Sequence, residues 1–427
     1  MTLRDGRIPP SAGTEHLLEY ALVGDKVLPE VLVGIEDSVI THVTTELVCT
    51  ESGTGPDGRS DPVERVAGLT LPALANCHSH AFHRALRGRT QTDRGTFWTW
   101  REQMYAVAAR LTPDSYYELA RQTYAEMVAT GIGAVGEFHY LHHQPDGTPY
   151  DDPNAMGRAL LAAADDAGIR IRLLDTCYLA AGIGAAPEGA QVRFSDGDAT
   201  RWADRVAAFD DDRVGVAIHS VRAVPRKALG VVAEVAAGRP LHVHLSEQVA
   251  ENEACVAAYG LTPTQLLAEE GVLGPDTTLV HATHLTATDI SLIGDARAHV
   301  CFCPTTERDL ADGIGPSRAL HDTGARLTLG SDSHAVIDLF EEMRGVEMHE
   351  RLHTQQRGHW SAAELLAAAT TTGHASLGFA DAGRIAVGQH ADLRVLGLES
   401  WRLRGTSATP ESVVFAATGA DVVGELR

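Results

Sequence analysis

The sequence predicts a (β/α)₈ barrel carrying a small β-sandwich domain assembled from both chain ends. Three observations predict it. Between Leu69 and His334, eight apolar runs of strand length alternate with longer helical patterns, the texture of βα units around a parallel sheet. Short β-like runs occupy both ends of the chain. Histidines and acids gather at the C-terminal ends of several runs, where barrels of this architecture carry their chemistry. The expected division is 1–67 and 381–427 for the two parts of the small domain and 68–380 for the barrel.

From Glu19 to Val66 the runs YALVGDKVLPEVLVGIEDSVITHVT read as strands, followed by a loop rich in Gly, Asp, Pro and Ser, ESGTGPDGRSDP. The barrel strands are then expected in LTLPALANCHSH, IGAVGEFHY, IRIRLLDTCYL, RVGVAIHSV, PLHVHLSE, TTLVHATHL, AHVCFCPTT and ARLTLGSDSH. Helix starts are legible between them. Thr112-Pro113 reads as an N-cap with proline in the first turn, and Thr286 with Asp289 imitates a capping box. Beyond Ala380 the runs GRIAVGQHADLRVLGLES and SVVFAATG again read as short strands.

Composition narrows the class. Hydrophobic residues at 44% and charged residues at 22% are ordinary for a globular protein rather than a disordered one. A net charge of −22 argues against nucleic acid or an anionic membrane as partner, since both need basic surface. It also means that an anionic substrate must be held by specific arginines against the general field. The N-terminal stretch lacks a basic segment followed by an apolar core, and no apolar run approaches the ~20 residues of a membrane span. The cysteines at 49, 77, 177, 255, 301 and 303 form no disulfide framework, and Cys301 and Cys303 read as small buried hydrophobes. A reducing cytoplasm is the expected location.

The chemistry-bearing residues fall at strand ends. The first barrel strand ends in His78-Ser79-His80, and residues two apart on a strand point to one side, so both imidazoles can reach one ion. The fifth ends in His242-Val243-His244 with Glu247 just beyond, the sixth carries His281, and the eighth leads into Asp332. Taken singly, a strand-end histidine is commonly a core residue and an Asp after Gly-Ser a turn residue; the recurrence at matching ends of four strands points to a site. His78, His80, His244 and Asp332 make a ligand set for one divalent ion, Zn²⁺ in the first place, with Fe²⁺ also accepted. Asp332 is placed to take a proton from attacking water, Glu247 to carry one to a leaving nitrogen, and His281 to stabilise developing charge. His242 shares the face of His244 but lies about 6–7 Å deeper, which favours packing or a supporting role for it.

These residues resemble those of the amidohydrolase superfamily over nearly the whole chain. Two-metal members end the fourth strand in a carboxylated lysine; here that strand reads VGVAIHSVRAV, with His219, as in the one-metal deaminase branch. The runs NCHSHAFHRALRG, TFWTWREQMY, VGEFHYLHH, HSVRAV, HVHLSEQ, VHATHL and CPTTE are similar to the formimidoylglutamate deiminase family. That resemblance implies hydrolysis of a linear amidine with release of ammonia, a place in histidine degradation, a small dianionic substrate and a homodimer. It also implies that Arg222 and Tyr140 hold the substrate α-carboxylate, Arg101 holds the side-chain carboxylate, and His219 and His83 line the site. Outside the resemblance, each arginine reads as an ordinary surface ion pair.

Two positions depart from that family. His83 stands where Gln is usual, and histidine cannot copy an amide's paired donor and acceptor. After CPTTE the chain reads Arg308-Asp309 in place of a small residue and Asn, and a carboxylate facing a dianion would repel it. The competing readings are a deaminase of heterocyclic amines, a two-metal hydrolase, and a non-catalytic binding protein on the same barrel. A flat heterocycle calls for stacking and amide contacts rather than two inward arginines.

Overall fold

The computed structural model describes residues 14–45, 63–91 and 94–427. The expectations for residues 1–13, for the loop at 51–62 and for Cys49 lie outside them. Four strands come first: β1 (Thr14–Val23), β2 (Lys26–Glu36), β3 (Val39–Thr44) and β4 (Glu64–Pro72). The barrel strands are β5 (Leu74–Ser79), β6 (Ile132–His139), β7 (Arg170–Cys177), β8 (Val214–Ile218), β9 (Leu241–Leu245), β10 (Thr277–His281), β11 (His299–Phe302) and β12 (Arg326–Leu329). The last two strands are β13 (Leu393–Leu396) and β14 (Val422–Leu426).

Strands β5 to β12 lie parallel and in chain order in one sheet. All eight expected runs therefore supply a barrel strand. Nearly every residue of these strands is buried, as befits a parallel sheet covered outside by helices and filled within by side chains. The helices carry local stop and start signals. Thr112 caps Pro113–Ala129 through a reciprocal box with Ser115, and Thr286 exchanges bonds with Asp289. Cys301 and Cys303 are buried and unpaired.

The first expected run divides between two sheets. Leu69–Pro72 ends β4, which pairs with β1 and β13, whereas Leu74 opens the barrel. Pro72 has no N–H with which to continue a ladder. The next two amides turn to different partners, Ala73 donating to Asp392 and Leu74 to Gly131. The passage into the barrel is thus at Ala73, and the 67/68 division falls inside β4. The terminal sheet has the order β14-β13-β4-β1-β2-β3 and buries Leu18, Val31, Val33, Ile40 and Leu393 in a core of its own.

One expected strand is a helix. The run containing SVVF lies in Pro410–Phe415, where Pro410 occupies the first turn and Thr409 accepts a bond from the Ser412 amide. The cap and the proline override the β preference of Val413 and Val414, both of which bury against the barrel's outer helices. No helix among the described residues is long and apolar enough to cross a membrane.

The barrel closes where β12 returns to β5. A parallel bridge joins Ser79 to Asp332, with the Asp332 amide donating to the His78 carbonyl at 3.0 Å and the His80 amide to the Asp332 carbonyl at 3.2 Å. Beneath it, buried Asn76 accepts from the Ser331 amide at 2.9 Å and donates to its hydroxyl at 2.7 Å. Gly330 permits this approach, because a Cβ there would lie 2.8 Å from the Cβ of His78. Asn76→Ala should leave the buried Ser331 amide unpartnered, while the Ser331 hydroxyl keeps His334 at 3.0 Å, and cost about 1–3 kcal/mol in urea unfolding. An unchanged unfolding midpoint would show that closure does not depend on Asn76.

Candidate active site

The seam delivers the two histidines of β5 and the aspartate after β12 to one point above the barrel, and β9 brings His244 to the same place. The Nε2 atoms of His78 and His244 are 3.1 Å apart and those of His80 and His244 3.3 Å apart. Asp332 Oδ1 lies 3.3 Å from His78 Nε2 and 3.4 Å from His80 Nε2. All four residues are buried.

The ring orientations fit a cation. Nδ1 of His80 lies 3.0 Å from the Phe138 carbonyl and Nδ1 of His244 lies 2.8 Å from the His219 carbonyl. A carbonyl can only accept, so each Nδ1 carries the proton and each Nε2 presents a lone pair. Burial, with the neighbouring imidazoles, pushes the pKa of both rings well below the usual histidine value and keeps them neutral. Facing lone pairs this close repel unless a positive centre lies among them. Three imidazole nitrogens and one carboxylate oxygen are a donor set that holds a divalent ion.

His242 does not join this group. It is fully buried, both ring nitrogens lack a hydrogen-bond partner, and burial pulls its pKa down to about 3. It packs in the barrel one level below His244. His281 also borders the cluster, and its ring nitrogen falls with those of His78 and His244 and an Asp332 oxygen in a set of ligand atoms within 4.8 Å of one another. Its Nε2 is 3.8 Å from Asp332 Oδ2 and 3.9 Å from Glu247 Oε1, and its Nδ1 is 3.5 Å from Glu307 Oε1. Burial opposes charge on this ring, yet Glu247, Glu307 and Asp332 together raise its pKa well above the ordinary value. Burial likewise resists charge on Asp332, but the hydrogen bond and potential of His78 and the charge of His281 hold its carboxyl below the usual range.

The backbone here is bent on purpose. His281, Ala282, Asp332, His334 and Ser246 all have positive φ, between 42° and 69°. Left-handed backbone at non-glycine residues costs on the order of 1 kcal/mol or more and gathers where side chains must be aimed. At the ends of β9, β10 and β12 it turns the side chains toward the barrel axis.

A cavity opens above the cluster and is lined by His80, His83, Arg101, Tyr140, His219, Arg222, His244, Glu247, His281 and Asp332 among others. Every substrate-contacting residue expected from the sequence borders it. Arg101, on the helix Phe97–Ala108, stacks its guanidinium 4.5 Å over Trp98 and 5.5 Å over Tyr105. His83 Nε2 lies 3.1 Å from the Tyr140 hydroxyl, and burial holds the pKa of His83 down to about 3. His83 is therefore a neutral ring paired with Tyr140. Asp309 is exposed, accepts from Gln91 at 2.9 Å and does not border the cavity, while Arg308 is bonded to Glu341. The repulsion expected from Asp309 does not arise.

Several groups escaped sequence reasoning. Arg222 is bracketed by two carboxylates, Glu247 at 3.6 Å and Glu251 at 3.4 Å. Burial raises the pKa of Glu247, and that of Glu251 to about 7. Glu251 stands in the first turn of the helix Val249–Tyr259, which Glu247 precedes, and nothing in its spacing marks it in the sequence. Behind the cluster, Glu137 accepts from the Ser79 hydroxyl at 2.6 Å and the Ala81 amide at 2.8 Å, which fixes the chain between His78 and His80. A second grouping of His139, His142 and Asp175 is an ion network instead of a metal site, since Arg205 binds Asp175 at 2.7 and 2.9 Å and Trp202 bonds it as well.

Replacing His78, His80 or His244 by alanine should weaken metal affinity by more than about 100-fold, whereas His242→Asn should leave metal content unchanged. Metal analysis of the purified variants checks both. Loss of metal from the His242 variant would reassign the ligand set.

Comparison with known proteins agrees with this architecture. The model of the amidohydrolase family matches residues 69–423. The formimidoylglutamate deiminase of Pseudomonas aeruginosa is 38% identical over 361 residues, 80% of this chain and 79% of its own. The 5-methylthioadenosine/S-adenosylhomocysteine deaminase of Natronomonas pharaonis is 28% identical over 94% of this chain and 89% of its own. Among solved structures, an amidohydrolase from Brucella melitensis superposes with a TM-score of 0.84 at 30% identity, covering 96% of this chain and 94% of the other. The chain belongs to the amidohydrolase family.

Proposed function

We propose that this chain is a formimidoylglutamate deiminase, hydrolysing N-formimino-L-glutamate to N-formyl-L-glutamate and ammonia with one divalent ion, Zn²⁺ in the first place. The observation that carries the proposal is a pair of arginines, Arg101 and Arg222, bordering one cavity above the ligand set of a chain with net charge −22. Two guanidiniums facing one cavity suit a substrate with two carboxylates. The likeness to the Pseudomonas aeruginosa enzyme supports the same substrate.

Arg222 and Tyr140, which border the same cavity, bind the α-carboxylate, and Arg101 binds the side-chain carboxylate. The formimino carbon then lies over His78, His80, His244 and Asp332. When bound there, a divalent ion supplies Lewis acidity and makes hydroxide available near neutral pH. Asp332 takes the proton of the attacking water. His281, held protonated by its three carboxylate neighbours, donates to the charge developing at the reacting carbon's substituent. The carboxyl of Glu247, made easier to protonate by burial, delivers a proton to the leaving nitrogen. The second proton of the water passes to the same nitrogen by way of Glu247, the C–N bond breaks, ammonia leaves, the oxygen of water remains as the formyl oxygen, and the proton taken by Asp332 restores Glu247.

Ammonia release from N-formimino-L-glutamate, measured beside guanine, tests the substrate. Turnover of guanine alone would sink it. Glu247→Gln should lower kcat by about 10²–10⁴-fold with metal content intact. Arg222→Gln should raise KM by at least about tenfold through loss of a charge-assisted pair. An Arg222 variant with unaltered KM would remove that arginine from substrate binding.

A further inference from the structure

Between Arg101 and Arg222 lies a hydrogen-bonded group whose protons are unaccounted for. Gln191, buried in the turn Gly189–Phe194, accepts the Glu188 amide on Oε1 at 3.2 Å. That fixes which end of the amide is which, so its two N–H groups point the other way. They reach the hydroxyl oxygens of Tyr105 at 2.9 Å and Tyr178 at 2.8 Å. Both phenols thus accept from Gln191 and each retains an O–H to donate.

Among the described residues no carboxylate or backbone carbonyl accepts a hydrogen bond from either hydroxyl. The phenols adjoin one another, and a bond between them uses one of the two protons and leaves the other. Both tyrosines border the cavity, and both lie close enough to Arg222 to raise its pKa. Tyr178 is buried and Tyr105 half-buried, so the proton left over faces the cavity, where a ligand oxygen can accept it.

We infer that the Tyr105–Tyr178 pair donates its remaining O–H to the substrate carboxylate held by Arg222, with Gln191 as the positioning residue that turns that proton into the cavity. The inference rests on the proposed dianionic substrate and identifies which groups read its α-carboxylate. Arg222 supplies charge, while the phenols supply direction.

The test compares N-formimino-L-glutamate with 4-(formimidoylamino)butanoate, which lacks the α-carboxylate. Tyr178→Phe should raise KM for the first by about tenfold, the loss expected of one hydrogen bond to a carboxylate. Its kcat should stay within about twofold, and kinetics with the second substrate should not move. Tyr105→Phe should act in the same sense. Gln191→Glu can only accept, so it draws the phenolic protons inward and should also raise KM for the first substrate while leaving the thermal midpoint near that of the wild type. An unchanged KM in both phenylalanine variants, or an equal rise for both substrates, overturns the role. Release of no ammonia by the unsubstituted enzyme overturns the substrate and this role together; release by it with unaltered variants overturns this role alone.

Discussion

The seam between β5 and β12 is the constraint on which the site depends. A barrel must close somewhere, and here it closes through backbone bonds made by the residues that carry the chemistry. Asp332 is both the bridging residue and a member of the candidate ligand set. Its amide and carbonyl hold the chain of His78 and His80 while its carboxylate meets their rings. Asn76 and Gly330 secure the approach from below, and Glu137 secures the turn from behind. Position and function are therefore one arrangement. A change that loosens the seam loosens the ligand geometry with it.

Burial then sets the charge states. Removing the imidazoles from water keeps His80 and His244 neutral and their lone pairs available, while the same burial lets Glu247 hold a proton. His281 goes the other way because three carboxylates surround it. One cavity thus holds neutral imidazoles, a histidine whose pKa is raised and a carboxyl that burial makes easier to protonate. The arginines of the cavity stand in a strongly acidic protein, and each is held by local contacts. Glu247 and Glu251 share Arg222, which spares Glu247 from a close pair that would hold it permanently ionised. Arg101 is steadied by aromatic faces instead of a carboxylate.

Much of this was legible in the linear chain. The eight barrel strands were readable because apolar runs of strand length recur with helical text between them, and period-two spacing placed His78 and His80 on one face. The misreadings have local causes. Pro72 lies inside a single apolar run yet ends one sheet and precedes another, a change of partner that hydrophobicity does not record. Thr409-Pro410 starts a helix that the valines after it disguise as a strand. Glu251 and Gln191 were passed over because a buried Glu and a buried Gln have no signature of their own; their importance comes from groups distant in the chain.

The order of residues determines the strand periodicity, the identity of the ligand side chains and the net charge, because these are properties of neighbours and sums. Whether His242 or His244 reaches the cluster was open on spacing alone, since both lie on one face of β9. Depth in the barrel settled their places, as only the residue level with the closing bridge meets His78 and Asp332. The same holds for Asp309, which the chain places beside the site and the fold turns to Gln91. Distances across a closed sheet depend on where that sheet closes, and closure joins residues about 250 positions apart in the chain.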